Sequence, residues 1–304
     1  MRLSDLGEKE LILRVARKIR TDSTVVKGIG DDCAVLRGSK GRALLFASDM
    51  LIEGVHFLPK TDPAAIGWKA LAVNVSDIAA MGGIPRYAVI SLGLRSDIPV
   101  AFVEGLYRGL TRCATRFGVN LVGGDTDRAA KTVIDVAILG EVERNRVVFR
   151  SGARVGDSLL VTGRLGGSVR SGRHLRFIPR VREARALRAR ERLHAMIDLS
   201  DGLGPDLTRI CEASQVAAEI ESAQIPRRKG CSLTQALTEG EDFELLMAVG
   251  RSEAERLLAW SNQHLPCGLH RIGRVVRKGK GPFVRVIGPP KRPLRISLEG
   301  FQHF

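Results

Sequence analysis

Cysteine is scarce in this 304-residue chain, and its placement excludes two kinds of site. The five cysteines (Cys33, Cys113, Cys211, Cys231, Cys267) are odd in number, far apart and never spaced as CxxC. Neither a disulfide framework nor a thiolate zinc site is expected, and the residues read as reduced packing groups. The six histidines form no HExxH or comparable pattern, so any metal is expected on oxygen ligands. No apolar run approaches the roughly 18 residues a spanning helix needs. The start, MRLSDLGEKE, has no hydrophobic signal segment, which points to a cytoplasmic protein with no membrane role. GxxxxGK[ST] is missing, as is a GxGxxG between strand and helix, so a P-loop or dinucleotide fold is not expected. Nor does a GxSxG or Cys/His arrangement offer a nucleophile.

The length predicts two domains, and 44% hydrophobic content suits a globular core. A net charge of +15 would draw the chain toward polyanions, nucleic acid first among them. Against nucleic acid stand an aromatic content of only 5% and the absence of a recognised binding module. The excess charge is concentrated: ten arginines lie between Arg164 and Arg192, several in RVREARALRARER with Ala and Leu interposed. Two readings of that helical stretch stay open here, a solvated face and a phosphate-attracting surface.

Leu11, Ile12, Val15 and Ile19 carry helical spacing, which predicts a helix from about Glu8 to Arg20. Short apolar runs at 34–36 and 43–47 read as strands. Asp62-Pro63 has the cap-then-proline signature of a helix start, and Gly82-Gly83 ends that helix. A strand at 87–94, a helix at 99–117 and strands at 119–122 and 132–140 follow. Beyond SGARVGD the pattern resumes with strands at 158–163, 195–199, 216–220 and 243–249 and helices at 202–213 and 253–264. Alternation of this kind predicts α/β or α+β layers in both halves, with a boundary near residue 148.

The aspartates are the informative residues. Asp31 and Asp32 follow GIG, Asp49 ends ALLFAS, Asp125 and Asp127 follow LVGG, and Asp198 and Asp201 follow AMI. Each group sits at the end of a predicted strand, where side chains project into the ligand crevice of such sheets. Converging carboxylates would need a cation, and hard oxygen ligands favour Mg²⁺. Gly-Asp and Asp-Gly are also ordinary turn chemistry. Asp77 differs, because it lies inside an apolar, small-residue helix with Asn74 three residues earlier on the same face. Both polar groups need partners if buried, either a metal with its waters or structural hydrogen bonds. Backbone amides of LVGGDTD or TGRLGG are candidate phosphate contacts.

In order along the chain stand GIGDDCAVL, SDMLIEGVHF, KALAVNVSDIAAMGGIP, LVGGDTD, RSGARVGD, VTGRLGG, AMIDLSDGL and GEDFELL. With them the chain resembles, from end to end, the thiamine-monophosphate kinase family of the aminoimidazole-ribonucleotide-synthetase-like superfamily. The resemblance implies a two-domain α/β (α+β) synthetase-like fold. Residues 1–148 would form an ATP- and Mg²⁺-binding sheet domain that dimerises, and 149–304 a layered α/β domain that completes the active site. It implies ATP and thiamine monophosphate as substrates, several Mg²⁺ ions and a homodimer. Asp32, Ser48, Asp49, Asp77, Asp125, Asp198 and Asp201 match the family's metal positions, and Tyr107, Gly124, Asp125, Arg150 and Ser200 its nucleotide positions. His56, Glu241 and Phe301 match those that hold the acceptor. Asp77, Asp125, Arg150 and Asp198 are the expected catalytic group.

The chain also departs from the family pattern. Ala47 stands where relatives often carry Ser or Thr, Glu239 precedes Gly240 where a second Gly is frequent, and the segment between Gly167 and Ala195 is short and arginine-rich. Other synthetases of the superfamily are the nearest rival reading. EGVHF, the terminal GFQHF and the absence of a reactive N-terminal Cys-Lys arrangement speak against them.

Overall fold

A computed structural model of the protein describes residues 2–290, 292–298 and 300. Two short helices open the chain, α1 (Leu3–Leu6) and α2 (Glu8–Ala16). The first sheet takes its strands from β1 (Val25–Lys27), β2 (Ala34–Arg37), β3 (Arg42–Ile52), β4 (Ile84–Leu94), β5 (Asn120–Arg128) and β6 (Val133–Glu143), in the order β1-β2-β3-β6-β4-β5. Helix α3 (Pro63–Ala80) lies between β3 and β4, and α4 (Val100–Phe117) joins the parallel pair β4 and β5.

The start of α3 is set by the predicted cap: Asp62 accepts from the amides of Ala64 and Ala65, and Pro63 takes the first helical position. Alternation along β3 and β6 sends Leu45, Ile134, Val136 and Ile138 toward α3, where they meet Ile66, Leu71, Val75 and Ile78. Two glycines let α3 and α4 touch backbone to backbone. A Cβ on Gly67 would lie 1.9 Å from the Leu106 carbonyl oxygen, and one on Gly109 would lie 2.0 Å from that of Ala64. The opposite sheet face is bare, with Phe46, Met50, Tyr87, Val89 and Val122 exposed.

The second sheet is built from β7 (Ser158–Thr162), β8 (Leu193–Asp198), β9 (Ala217–Glu221), β10 (Leu245–Val249), β11 (Leu269–Val276), β12 (Val284–Gly288) and β13 (Arg292–Pro293), in the order β13-β12-β9-β11-β7-β10-β8. Helices α6 (Leu203–Ser214) and α7 (Leu233–Thr238) cover one face. The other face packs against α5 (Val181–Arg190), α8 (Arg251–His264) and the last turn of α3, where Ala79 and Ala80 join Leu187, Met196 and Met247 in one cluster. Helix α3 is therefore shared by both cores, and its C-terminal half is set beside the end of β8.

Three predicted elements differ in extent. The opening helix stops at Ala16 rather than Arg20. β3 continues through Asp49 to Ile52, and β5 continues through GGDTD to Arg128, so Asp49, Asp125 and Asp127 lie within strands and not beyond their ends. Ladder partners on β6 and β4 extend these strands past the glycines that suggested a turn.

Candidate active site

Asp32 from the loop before β2, Asp77 from α3 and Asp198 from the end of β8 are far apart in sequence, yet each offers a carboxylate oxygen within 4.8 Å of the others. Asp32 and Asp198 are buried and Asp77 is half-buried. Arg150 donates to Oδ1 of Asp32 through Nη2 at 2.7 Å and Nε at 3.3 Å. The other oxygen, Oδ2, is buried without a hydrogen-bond partner among the described residues. Ser76, one residue before Asp77, donates to Oδ2 of Asp198 at 2.5 Å. Asp77 makes no side-chain hydrogen bond among the described residues; its surroundings are the charges of Asp49, Asp198 and Asp32.

Burial and mutual repulsion act on these acids together. Burial first, then Asp49, Asp198 and Asp32, push the Asp77 carboxyl well above the ordinary range. Burial and Asp32 do the same to Asp198, against the opposing pull of the Ser76 hydroxyl. Asp49 is raised to about 6 by burial and by Asp201, Asp135 and Glu241. Asp31 is raised to about 6 by burial and Asp32, although the Arg150 amide donates to it at 3.0 Å. A dense group of carboxylates with one unsatisfied buried oxygen and a single guanidinium at Asp32 is a donor set short of positive charge. Its chemistry fits Mg²⁺, which takes oxygen ligands from one or two carboxylates together with phosphate oxygens and water.

Asn74 and Asp77, read from sequence as a pair, serve separate ends. The Asn74 amide group accepts from the Asp49 amide at 3.1 Å and donates to the Ala70 carbonyl at 3.0 Å, so it pins β3 to α3 structurally. Only Asp77 enters the carboxylate group.

Beside this group, Asp201 pairs with Arg209, which also pairs with the fully buried Asp206. Asp206 in turn accepts from the amides of Asp201 and Gly202 at 3.1 and 3.2 Å, fixing the loop that presents Ser200 and Asp201. The Ser200 carbonyl accepts from the Glu241 amide at 2.6 Å. Glu241 and His56 meet at Lys69 of α3, whose ammonium lies 2.5 Å from Glu241 Oε2 and donates to the His56 carbonyl at 2.9 Å.

Other sequence candidates are not gathered here. The Ser48 hydroxyl faces the bare side of the first sheet and donates to Asp135 at 2.9 Å, whereas Asp49 faces α3. Gly124 and Asp125 lie on β5, three strands from β3 in the sheet order. At roughly 4.8 Å per strand they are about 14 Å away. Tyr107 lines a separate groove of about 800 Å³ on the outer face of α4, with Glu104, Arg108, Arg112 and Arg116. Phe301 lies outside the described residues.

Two expectations need correction. The TGRLGG loop is not a free phosphate cradle, because the amides of Gly166 and Gly167 already donate to the carboxylates of Asp242 and Glu239. The unusual Glu239 thus has a local role in capping that loop. Nor is the arginine-rich segment simply a solvated face or a phosphate surface. Arg173 and Arg180 clamp buried Glu244, Arg190 lies 4.1 Å from the Trp260 ring centroid, and Arg185 makes a forked pair with Glu143 at 2.6 and 2.9 Å.

Comparison with known proteins agrees with this architecture. Residues 30–142 match the family model of AIR synthase related protein, N-terminal domain, and residues 154–285 that of the C-terminal domain. The thiamine-monophosphate kinase of Aquifex aeolicus is 35% identical over all of both chains, and that of Escherichia coli K12 is 35% identical over 98% of each. The chain belongs to the thiamine-monophosphate kinase family. Among solved structures, AaThiL complexed with AMPPCP and TMP superposes with a TM-score of 0.86 at 33% identity, covering 100% of this chain and 99% of that one. The hydrogenase maturation protein HypE in complex with ATP, at 24% identity and a TM-score of 0.70, covers 97% of this chain and 93% of its own, and shares the fold alone.

For a member of the thiamine-monophosphate kinase family, the residues that sequence reasoning passed over are instructive. Lys69, Asp206 and Arg209 touch candidate site residues directly. Lys69 had a legible signal: within α3 it is, besides Asp77, the only charged side chain, and it precedes Asp77 by eight residues. Asp206 and Arg209 follow ordinary helical spacing, and nothing in the sequence separates them from a surface i,i+3 pair.

Proposed function

We propose that this chain transfers the γ-phosphoryl group of ATP to the phosphate of thiamine monophosphate, giving thiamine diphosphate and ADP. The observation that carries the reading is the Asp32–Asp77–Asp198 group, largely buried, mutually repelling and short of cations. Asp32, Asp77 and Asp198, with Asp49 and Asp201 beside them, would hold Mg²⁺ there. When bound, the ions supply charge neutralisation and fix the phosphate oxygens in line.

The protein's own residues do the rest by placement. The acceptor is a phosphomonoester, whose second pKa is about 6, so its attacking oxygen is already ionised near neutral pH and no strong base is required. Arg150 supplies a fixed guanidinium at the rim of the carboxylates, oriented by Asp32 and held by the Asp31 contact to its amide. Glu241 and His56 form the acceptor side. In-line transfer then depends on two polyanions being held close, and this is chiefly an electrostatic and positional task.

The reading treats 1–148 and 149–304 as two domains that meet at this site, and the working form as a homodimer. Support for the dimer is the bare apolar face bearing Phe46, Met50, Tyr87, Val89 and Val122. A face of that kind on a sheet otherwise packed with side chains is what an interface needs. Gly124 and Asp125 stand off from their own chain's carboxylates, and a second copy on that face would supply them. A reaction that draws on ATP fits the cytoplasm, and no described helix is long and apolar enough to cross a membrane.

The test is to incubate purified protein with ATP, Mg²⁺ and thiamine monophosphate and to resolve the products chromatographically. Thiamine diphosphate and ADP should appear in equal amounts, and free thiamine should be a poor acceptor because its alcohol lacks an activating base. Equal or faster turnover of free thiamine would overturn the acceptor assignment.

A further inference from the structure

Lys69 is fully buried in a helix whose other core-facing residues are almost all apolar. A lysine in that position is costly unless its ammonium is paired and its hydrogens are used. Three groups surround it: the His56 carbonyl oxygen, which accepts at 2.9 Å, Glu241 Oε2 at 2.5 Å and His174 Nδ1 at 3.1 Å. An ammonium has three N–H donors, and three polar groups stand within reach of them. The three groups come from three segments: the loop after β3, the turn before β10 and the arginine-rich stretch before α5. Lys69 therefore ties the two domains together at one point.

The turn it holds is a strained one. Glu241 has φ +58° and Phe243 has φ +48°, left-handed values that ordinary side chains rarely adopt. Around them the chain is fixed on every side. The Glu241 amide donates to Ser200, Asp242 pairs with Arg228, and Phe243 stacks on Phe177 at 4.1 Å between ring centroids. Within this turn the Glu241 carboxylate uses only one oxygen, Oε2, for Lys69 and His174. Oε2 is buried and meets these two groups as ion-pair contacts without a hydrogen bond, and Oε1 makes no hydrogen bond among the described residues.

We propose that Lys69 is a positioning residue of the acceptor site, its ammonium joining the His56 loop to the Glu241 turn so that the Glu241 carboxylate is held on the acceptor side. His174 is the third member of the clamp, which gives the arginine-rich segment a part in shaping the acceptor side. The inference rests on the reading of Glu241 as an acceptor contact. Lys69 itself touches no reacting atom. Its ammonium anchors the Glu241 carboxylate through the ion pair at Oε2. Burial lowers the lysine's proton affinity while the Glu241 charge raises it, and His174 together with Lys69 holds Glu241 below its ordinary range despite burial.

The experiment compares Lys69→Met, Glu241→Gln and the double variant of the full chain by steady-state kinetics and thermal melting. Lys69→Met should raise KM for thiamine monophosphate about tenfold or more, with KM for ATP within about twofold, since a loss of uniform binding of one substrate appears in its KM alone. A folded Lys69→Met protein with unchanged acceptor KM, or with both KM values raised equally, would overturn the clamp. If Lys69→Met alone does not fold, the double variant decides, because removing both charges of a buried pair is far less destabilising than removing one. Its acceptor KM should equal that of Glu241→Gln, as expected when Lys69 acts through Glu241. A further tenfold rise over Glu241→Gln would sink the inference. If Glu241→Gln leaves the acceptor KM unaltered, the reading of Glu241 fails; if only Lys69→Met is silent, the clamp fails alone.

Discussion

Two groups of buried acids lie within reach of the domain junction, and the chain treats them oppositely. Asp242 and Glu244, in the turn before β10, are surrounded by cations and donors. Glu244 takes Arg173 at 2.6 Å, Arg180 through two nitrogens at 2.7 Å and Thr162 at 2.8 Å, while Asp242 takes Arg228, Ser168 and the Gly166 amide. Asp32, Asp77 and Asp198 are as closely set, with Arg150 on one oxygen of Asp32 and Ser76 on one of Asp198. Burial alone therefore does not mark a functional acid. The mark is burial without compensation, because a buried charge left short of partners persists only if something outside the chain supplies them. A fully paired network organises structure, and a deficient one waits for a ligand.

The sharpest way to break this comparison is Asp77→Asn, which keeps size and removes the charge. Catalysis should fall about a thousandfold, because charge stabilisation is the site's main service. Without added Mg²⁺ the variant should melt above wild type by a few degrees, since one repelling carboxylate is gone. Near-normal thiamine diphosphate formation, or a lower melting point without Mg²⁺, would remove Asp77 from the deficient group.

The same deficit has a pH signature. Unfolded carboxyls titrate at about 4, whereas Asp31 and Asp49 are raised to about 6 by burial and neighbouring acids, and Asp77 and Asp198 are raised well above the ordinary range by the same causes. The folded state therefore holds more protons than the unfolded one as pH rises from about 4. Metal-free protein should lose stability with rising pH through about 6 and beyond. Saturating Mg²⁺ should restore it, by about 2.7 kcal/mol at a hundred times its Kd. Melting curves from pH 5 to 8 with Mg²⁺ and with chelator check this, and coincident curves would contradict it.

For the compensated group the expectation reverses. Glu244→Gln leaves Arg173 and Arg180 without their counter-charge and should cost about 3 kcal/mol of stability. The melting increment produced by Mg²⁺ should survive. Loss of that increment would mean the two groups are not separate.

Smallest of all should be Arg185→Gln. Arg185 and Glu143 are each about a third exposed, at 28% and 35%, so solvent screens their pair. The cost should be at most about 1 kcal/mol, with KM for ATP unchanged. A clear rise in that KM would return the arginine stretch to the phosphate-binding role weighed from its composition.

Much of the N-terminal unit was legible before any coordinates. The Asp62-Pro63 start of α3, the Gly82-Gly83 stop and the alternation along β6 follow from capping, φ preference and period-two burial, all of them local. Less legible were the strand ends at Asp49 and Asp125, where ladder partners overrode the turn signal. The arginine-rich helix misled for a related reason. Its composition matches a solvated face, and only the facing surfaces reveal that Glu143, Glu244 and Trp260 take its guanidinium groups.

The sequence by itself determined the residue types of the candidate site, carboxylates rather than thiols or imidazoles. It also determined the polar break in α3 at Asp77 and the order of motifs that links the chain to its family. Tertiary structure decided which acids meet. Asp32, Asp77 and Asp198 converge because α3 packs into both cores and carries its last turn against β8. The same packing buries Lys69 against Glu241 and His174, and the sheet order leaves Asp125 three strands from Asp49. Capping, periodicity and turn chemistry act over a few residues and can be read along a chain. Charge compensation depends on distances between segments that lie from 14 to more than a hundred residues apart, and those distances exist only once the cores have closed.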